Sequence, residues 1–247
     1  MVPPELETFG HAVAQQLEGV LGDELVGAYF VGSVAMGGYV SNESDVDIVA
    51  ACEHAIPDQR KAEVASRVLE EAARCPTRGL EFTLYRRQVA TSPPQGADFE
   101  VNVNGGPRME RLVRRTAEHE PAFWYVLDRA IAHRYGVAIL GPPAADLFVD
   151  PPRPVLLDML GGSLRWHRQH ERATHYSVLN AARAWRFAAD DVLGSKLDGA
   201  RWVGLRWQNR SMIDAAVKLR HGRVAVLNKD EVDQFLAHVD AVIAAAT

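Results

Sequence analysis

The sequence is poor in cysteine, lacks any long apolar run and carries only a small excess of one charge. Its 247 residues include 2 Cys, Cys52 and Cys75, and neither lies in a motif with histidine, so we expect two free, buried or half-buried thiols. No stretch approaches the roughly 20 consecutive apolar residues that cross a bilayer. No basic segment near the start leads into an apolar run. These absences predict a cytoplasmic protein that does not engage a membrane.

Charge and composition narrow the protein class further. The chain has 27 Lys and Arg against 32 Asp and Glu, a formal net charge of -5, and no basic stripe to follow a phosphate backbone. We therefore do not expect a nucleic-acid partner. With 47% hydrophobic and 24% charged residues, the composition is that of a globular chain with enough apolar material for a core.

Apolar periodicity predicts an α+β fold in two parts. In the first part we predict helices near residues 6–20, 57–75 and 120–134, and strands near 26–31, 45–51, 80–85 and 99–104. A cluster of prolines between residues 142 and 154 then interrupts regular structure. Beyond it the spacing predicts only helices, near 156–170, 175–193, 197–207, 212–219 and 230–246. We therefore predict two domains, residues 1–152 and 153–247.

Carboxylates lie on the polar sides of two predicted strands. Asp45 and Asp47 are two residues apart, so their side chains share one strand face about 7 Å apart. Glu81 alternates with apolar residues on its own strand, and it joins the same face if the strands are neighbours. Two such carboxylates repel by about 2 to 3 kcal/mol unless a cation lies between them. Oxygen ligands of this kind favour Mg²⁺, which fills its coordination shell with water and substrate phosphates.

Gly32 and Ser33 directly follow the first predicted strand. A Gly-Ser turn offers backbone N–H groups and a hydroxyl with little side-chain bulk, which is what an approaching phosphate needs. Taken singly, such a turn or an exposed carboxylate is usually structural. Because the turn and the three carboxylates occur together at strand ends and on one polar face, we favour a nucleotide-phosphate site.

These residues carry a resemblance to a known family. Gly32-Ser33, followed about ten residues later by Asp45-Val46-Asp47, resembles the signature of the DNA polymerase β-like nucleotidyltransferase superfamily. More narrowly, nearly the whole chain is similar to the bacterial aminoglycoside 3''/9-adenylyltransferases, which act on streptomycin and spectinomycin. Further matching stretches are Leu80-Glu81-Phe82-Thr83, residues 141–148, Arg183-x-Trp185, Ser195-Lys196 and Trp202.

The resemblance implies transfer of AMP from ATP to an acceptor hydroxyl, with release of pyrophosphate. It implies a nucleotidyltransferase domain with a mixed, helix-flanked β-sheet, followed by an all-α domain. Two Mg²⁺ ions and ATP are the implied cofactor and co-substrate, and a small polar aminoglycoside or aminocyclitol is the implied acceptor. The implied roles are metal binding for Asp45, Asp47 and Glu81, catalytic base for Glu81, and nucleotide binding for Gly32, Ser33, Ser44, Arg183 and Lys196.

The sequence departs from the family where the acceptor is bound. Ala173 stands where the family has an aspartate, and residues 99–104 lack the tryptophan that the family places after its fourth strand. The segment 166–175 is more basic than acidic, although a cationic acceptor needs carboxylates. Glu100, Trp166 and Glu171 remain as the candidate acceptor-binding residues.

Several alternatives stay open. Ser195 to Asp198 also has the pattern of a capping box, which would make Lys196 a solvated first-turn residue. For Arg183, helical periodicity alone also fits a surface role or a salt bridge. The histidines at 167, 170 and 175 suggest zinc only weakly, because no further ligand stands at convincing spacing. For the whole chain, the alternatives are a protein or RNA acceptor and a non-catalytic nucleotide-binding regulator. The sequence leaves the oligomeric state open and is compatible with a monomer.

Overall fold

The computed structural model describes residues 2–247 and divides the chain into two compact units. The first unit ends at Pro151 and the second begins at Pro152, among the prolines that interrupt the sequence pattern. Within the described residues, no helix is both long enough and apolar enough to span a membrane.

A mixed six-stranded sheet forms the centre of the first unit. Its strands are β1 (Leu25–Phe30), β2 (Val46–Cys52), β3 (Leu80–Arg86), β4 (Phe99–Gly106), β5 (Met109–Arg114) and β6 (Val137–Leu140). They are arranged in the order β5-β4-β3-β2-β1-β6. Strands β2 and β3 are parallel, and the other neighbours are antiparallel. The predicted mixed sheet is therefore confirmed.

Helices cover this sheet. They are α1 (Pro4–Leu21), α2 (Gly32–Ala35), α3 (Asp58–Ala72), α4 (Arg87–Ala90), α5 (Ala122–Tyr135) and α6 (Ala144–Leu147). One sheet face, with Ile48 and Phe82, packs against apolar residues of α1 and α3 such as Leu17 and Val64, all of them fully buried or nearly so. This packing buries one side of the sheet and leaves polar side chains of β2 and β3 on the other.

Some elements differ from those that the sequence predicts. The two outer strands, β5 and β6, were not predicted, because β5 is charged and exposed and β6 has only four residues. Strand β2 begins at Val46, so Asp45 directly precedes it. Gly32 and Ser33 begin the single helical turn α2 rather than an open turn.

The second unit is entirely helical, as predicted. Its helices are α7 (Arg153–His170), α8 (His175–Asp190), α9 (Lys196–Gly204), α10 (Arg210–Arg220) and α11 (Lys229–Ala246). Helix α8 is central, since it packs against each of the other four. Its Trp185 makes edge-to-face contacts with Trp202 and Trp207, which gives these tryptophans a packing role.

Candidate active site

Gly32 brings the end of β1 against the carboxylate of Asp47. Its φ of +55° lies in the left-handed region that disfavours other residues. A Cβ atom added there would lie 1.9 Å from Oδ2 of Asp47, closer than any non-bonded contact allows. The backbone N–H of Val31 also donates to the Asp47 carbonyl at 3.0 Å. Gly32 is therefore required both by the backbone and by the position of the Asp47 side chain.

The strand register places Asp47 beside Glu81. In the parallel β2–β3 pair, Asp47 is the partner of Glu81, and in the antiparallel β3–β4 pair, Glu81 is the partner of Asn104. Residues opposite each other on neighbouring strands project from the same face. Asp47, Glu81 and Asn104 therefore form one polar row, opposite the apolar face. Asp45 and Asp47 are half-buried and Glu81 is exposed.

The metal role of these carboxylates stays a prediction. Among residues 2–247, no group of three or more His, Cys, Asp and Glu side chains stands ready-made to hold a metal ion. Mg²⁺ is commonly held by one or two carboxylates together with waters and substrate phosphates. The half-buried Asp45 and Asp47, with Oδ2 of Asp47 in the narrow space that Gly32 leaves, supply oxygen donors of that type.

The two serines that the resemblance links to phosphate binding lie in different settings. Ser33 is in α2, and its Oγ is buried without a hydrogen-bond partner in the protein. Such an orphaned hydroxyl is costly unless a ligand satisfies it. Ser44 is fully buried, its Oγ accepts from the Val40 N–H at 2.9 Å, and its carbonyl accepts from the hydroxyl of Thr77 at 2.6 Å. Ser44 therefore closes the loop before β2, whatever further role it has.

Helix α5 presents Tyr125 on the sheet face that carries Glu81. Its ring packs against Phe99 of β4, with centroids 4.8 Å apart. Burial raises the pKa of the Tyr125 phenol, and the carboxylates of Glu120, Asp128 and Glu81 raise it further, whereas Arg114, which forms an ion pair with Glu120, lowers it. Charges of both signs therefore lie around this phenol.

Glu100 is held in ion pairs. Its side chain is 5% exposed, and its carboxylate oxygens lie 3.0 Å from Nζ of Lys61 and 2.8 Å from Nε of Arg86. These contacts join α3, β3 and β4 and give Glu100 a structural role. Its acceptor-binding role stays a prediction.

In the second unit, Arg183 and Lys196 lie on the closely packed helices α8 and α9. A Cβ atom added to Gly199 would lie 2.7 Å from the backbone nitrogen of Arg183, so glycine allows this close approach. Ser195 and Asp198 form a reciprocal capping box at the start of α9, as the alternative explanation of this segment expected. Lys196 itself lies over the ring of Tyr176, 5.2 Å from its centroid.

The end of α7 carries the other two candidate acceptor residues. Trp166 stacks on His170, with ring centroids 4.8 Å apart. Oε2 of Glu171 lies 2.7 Å from Nδ1 of His167, and this hydrogen bond is the main cause that lowers the pKa of Glu171. The charges of Lys196 and His175 also lower that pKa.

Sequence reasoning missed Asn104 and Asn180 as site residues. Asn104 follows from the strand register alone, which no local pattern shows. Asn180 contacts both His167 and Arg183. Its only signal in the sequence is the three-residue spacing to Arg183 on one helix, which places the two side chains on adjacent turns.

Comparisons with known proteins agree with this architecture. The family described as aminoglycoside adenylyltransferase, C-terminal domain, matches residues 148–244. Spectinomycin 9-adenylyltransferases from two Staphylococcus aureus strains, Mu50 and N315, are each 24% identical over 194 residues, covering 74% of this chain and 72% of the relative. The crystal structure of a spectinomycin adenyltransferase from Enterococcus faecialis, with ATP and spectinomycin, has a similar fold. Its TM-score is 0.73 at 16% identity, covering 96% of this chain and 98% of that one.

The mixed sheet, the helical second unit and these relatives define a nucleotidyltransferase enzyme. Residues 148–244 match the aminoglycoside adenylyltransferase C-terminal family, and the resemblance of the chain to aminoglycoside adenylyltransferases that its motifs indicate is confirmed.

Proposed function

We propose that the protein is a Mg²⁺-dependent adenylyltransferase that moves AMP from ATP to a hydroxyl of an aminoglycoside or aminocyclitol. Spectinomycin is the first acceptor to test, because the named relatives act on it. We place the transfer chemistry in residues 1–152, with residues 153–247 adding nucleotide contacts. We also infer a cytoplasmic location, where ATP is abundant and thiols stay reduced.

The observation that carries the proposal is the register of β2 and β3. It sets a half-buried aspartate, Asp47, directly beside an exposed glutamate, Glu81, on one face. Gly32 packs against the aspartate, and the buried hydroxyl of Ser33 follows in the next position. In this proposal, α2 supplies the phosphate-binding group, β2 and the residue before it supply the metal-binding groups, and β3 supplies the proton-accepting group.

Each side chain has a task in this proposal. Asp45 and Asp47 hold Mg²⁺, which when bound neutralises charge on the transferred phosphoryl group and on the departing pyrophosphate. The hydroxyl of Ser33 and the nearby backbone N–H groups donate to phosphate oxygens. Arg183 and Lys196 add positive charge to the nucleotide phosphates.

Glu81 accepts the proton of the acceptor hydroxyl. A bond forms between that hydroxyl oxygen and the α-phosphorus, the bond from the α-phosphorus to the bridging oxygen breaks, and pyrophosphate leaves with the electron pair. The proton is then on the Glu81 carboxylate, from which water removes it. General-base assistance of this kind contributes roughly 10²- to 10⁴-fold.

The acidic balance of the chain favours a cationic acceptor over a polyanionic one. The formal net charge is -5, and the sequence has no basic stripe. Ammonium groups of an aminocyclitol gain from a negative field, whereas a polyanionic acceptor such as an RNA end is repelled by it.

The experiment is pyrophosphate release from Mg²⁺-ATP with spectinomycin, with streptomycin, with other aminoglycosides and without acceptor. We expect acceptor-dependent release that Glu81→Gln reduces by about 100-fold or more while leaving ATP binding nearly unchanged. Glu110→Gln, which neutralises an exposed carboxylate of β5, is the matched control and should keep full activity. Pyrophosphate release that survives Glu81→Gln would show that Glu81 is not the catalytic base. ATP binding without pyrophosphate release for any drug would contradict a small acceptor and favour a macromolecular one.

A further inference from the structure

A chain of hydrogen bonds, buried at its centre and partly buried at its ends, connects Arg183 to Glu171. Nη2 of Arg183 donates to Oδ1 of Asn180 at 3.3 Å. Nδ2 of Asn180 lies 2.8 Å from Nε2 of His167. Nδ1 of His167 in turn lies 2.7 Å from Oε2 of Glu171. His167 and Asn180 are buried, so water cannot readily replace these contacts.

The two ends of this chain determine the direction of every bond in it. A guanidinium only donates, so the Asn180 atom facing Arg183 is the carbonyl oxygen, and the amide N–H therefore faces His167. Nε2 of His167 must then accept, and its single proton is on Nδ1. A carboxylate only accepts, which makes Glu171 the fitting partner for that proton. These hydrogen bonds therefore hold the His167 ring with its proton on Nδ1.

We infer that His167 is a positioning residue for Arg183, acting through Asn180. The inference rests on the proposed function, which gives Arg183 a nucleotide contact. In the opposite tautomer, the Asn180 amide would turn its Nδ2–H groups toward the guanidinium, and the bond to Arg183 would be lost. Glu171 therefore acts through His167 to orient the arginine.

This role explains why a polar histidine is buried at the contact between α7 and α8. A buried histidine flanked by one acceptor and one donor is a specific arrangement, and a simple packing position would be filled by an apolar residue at lower cost. His167 and Glu171 are four residues apart on α7 and its end, and Asn180 and Arg183 are three apart on α8. The contact between two helices thus holds one guanidinium in a defined direction.

The test is a double-mutant cycle on the affinity for Mg²⁺-ATP, measured by calorimetry on the full chain. We expect His167→Leu to weaken binding about five- to tenfold, the value of one hydrogen bond, and to have little effect in an Arg183→Ala background. His167→Gln, whose side-chain oxygen can still accept from Asn180, should recover most of the affinity. His221→Gln, at an exposed histidine of the same unit, is the control and should bind as the parent does.

A second readout addresses the tautomer directly. Nitrogen NMR of the imidazole, assigned by the signal lost in His167→Gln, should show a proton on Nδ1 and none on Nε2. A proton on Nε2, or equal losses from His167→Leu with and without Arg183, would overturn the inference while the proposed function stands. A parent protein that does not bind Mg²⁺-ATP would overturn the proposed function, and the inference with it.

Discussion

Gly32 has a left-handed backbone conformation and also contacts the candidate metal ligand Asp47. Its positive φ costs another residue on the order of 1 kcal/mol. The space beside its Cα is filled by the Asp47 carboxylate, so any side chain there would displace that group. A substitution at Gly32 therefore has two effects. Backbone strain lowers stability, and displacement of Asp47 lowers activity.

We predict that Gly32→Ala reduces drug-dependent pyrophosphate release on the order of 100-fold, because shifting a reacting group by about 1 Å has effects of that size. Gly37→Ala is the matched control, since Gly37 has a φ of +67° and open space where its Cβ would lie. Both variants should lose similar stability in urea unfolding, about 1 kcal/mol. Equal activity in the two variants would show that the close contact between Gly32 and the Asp47 carboxylate is not needed for activity.

At the scale of elements, the ion pairs around Glu100 connect a helix to two strands. Lys61 belongs to α3, Arg86 ends β3 and Glu100 lies at the irregular start of β4, where the β3–β4 register shifts. Removing one member of a buried pair leaves the remaining charges uncompensated, which costs more than the pair itself contributes.

We predict that Glu100→Gln destabilises the fold by about 1 to 3 kcal/mol, measured by urea unfolding. Glu118→Gln, at an exposed carboxylate, should change the free energy of unfolding by less than about 0.5 kcal/mol. If Glu100 instead bound the acceptor, Glu100→Gln would raise the KM for spectinomycin and leave the unfolding curve in place.

At the scale of the whole molecule, both cysteines are free and buried, in agreement with the sequence. Burial raises the pKa of Cys52 to about 12, with a contribution from the charge of Glu100, and burial also raises that of Cys75. A thiol with such a pKa is about one part in 10⁴ thiolate at pH 8. Neither residue is suited to nucleophilic catalysis.

We predict that Ellman's reagent labels neither thiol of the native protein at pH 8 and labels both in urea. The folded-state pKa of Cys52 lies above its unfolded value of 9.0. The contribution of this thiol to the free energy of unfolding is therefore complete below pH 9 and is lost as the pH rises toward 12. Cys52→Ala should therefore flatten the fall of the unfolding free energy in that range. Rapid labelling of the native protein would contradict the buried position.

Much of the architecture could be predicted from the sequence, because it rests on local signals. Helical spacing identified the second unit, and the Gly-Ser and Asp-x-Asp motifs identified the family. The outer strands could not be predicted, since β5 is stabilised by pairing with β4 and shows no apolar alternation.

The candidate site was predicted only as far as residue types allow. Asp47 and Glu81 were expected to share a face if their strands were neighbours, and that neighbourhood is a property of the topology. The contact of Asn180 with His167 depends on how α7 and α8 pack, across 13 residues of sequence. Such contacts become visible only when the fold is known.

The outer strands also bear on aggregation. An exposed strand edge is a template on which another chain can add a strand. Strand β5 carries Glu110, Arg111 and Arg114 along one edge of the sheet, and β6 offers only four residues along the other. Charge on one side and short length on the other oppose edge-to-edge pairing, so the sheet that carries the carboxylates is protected against growing into an assembly.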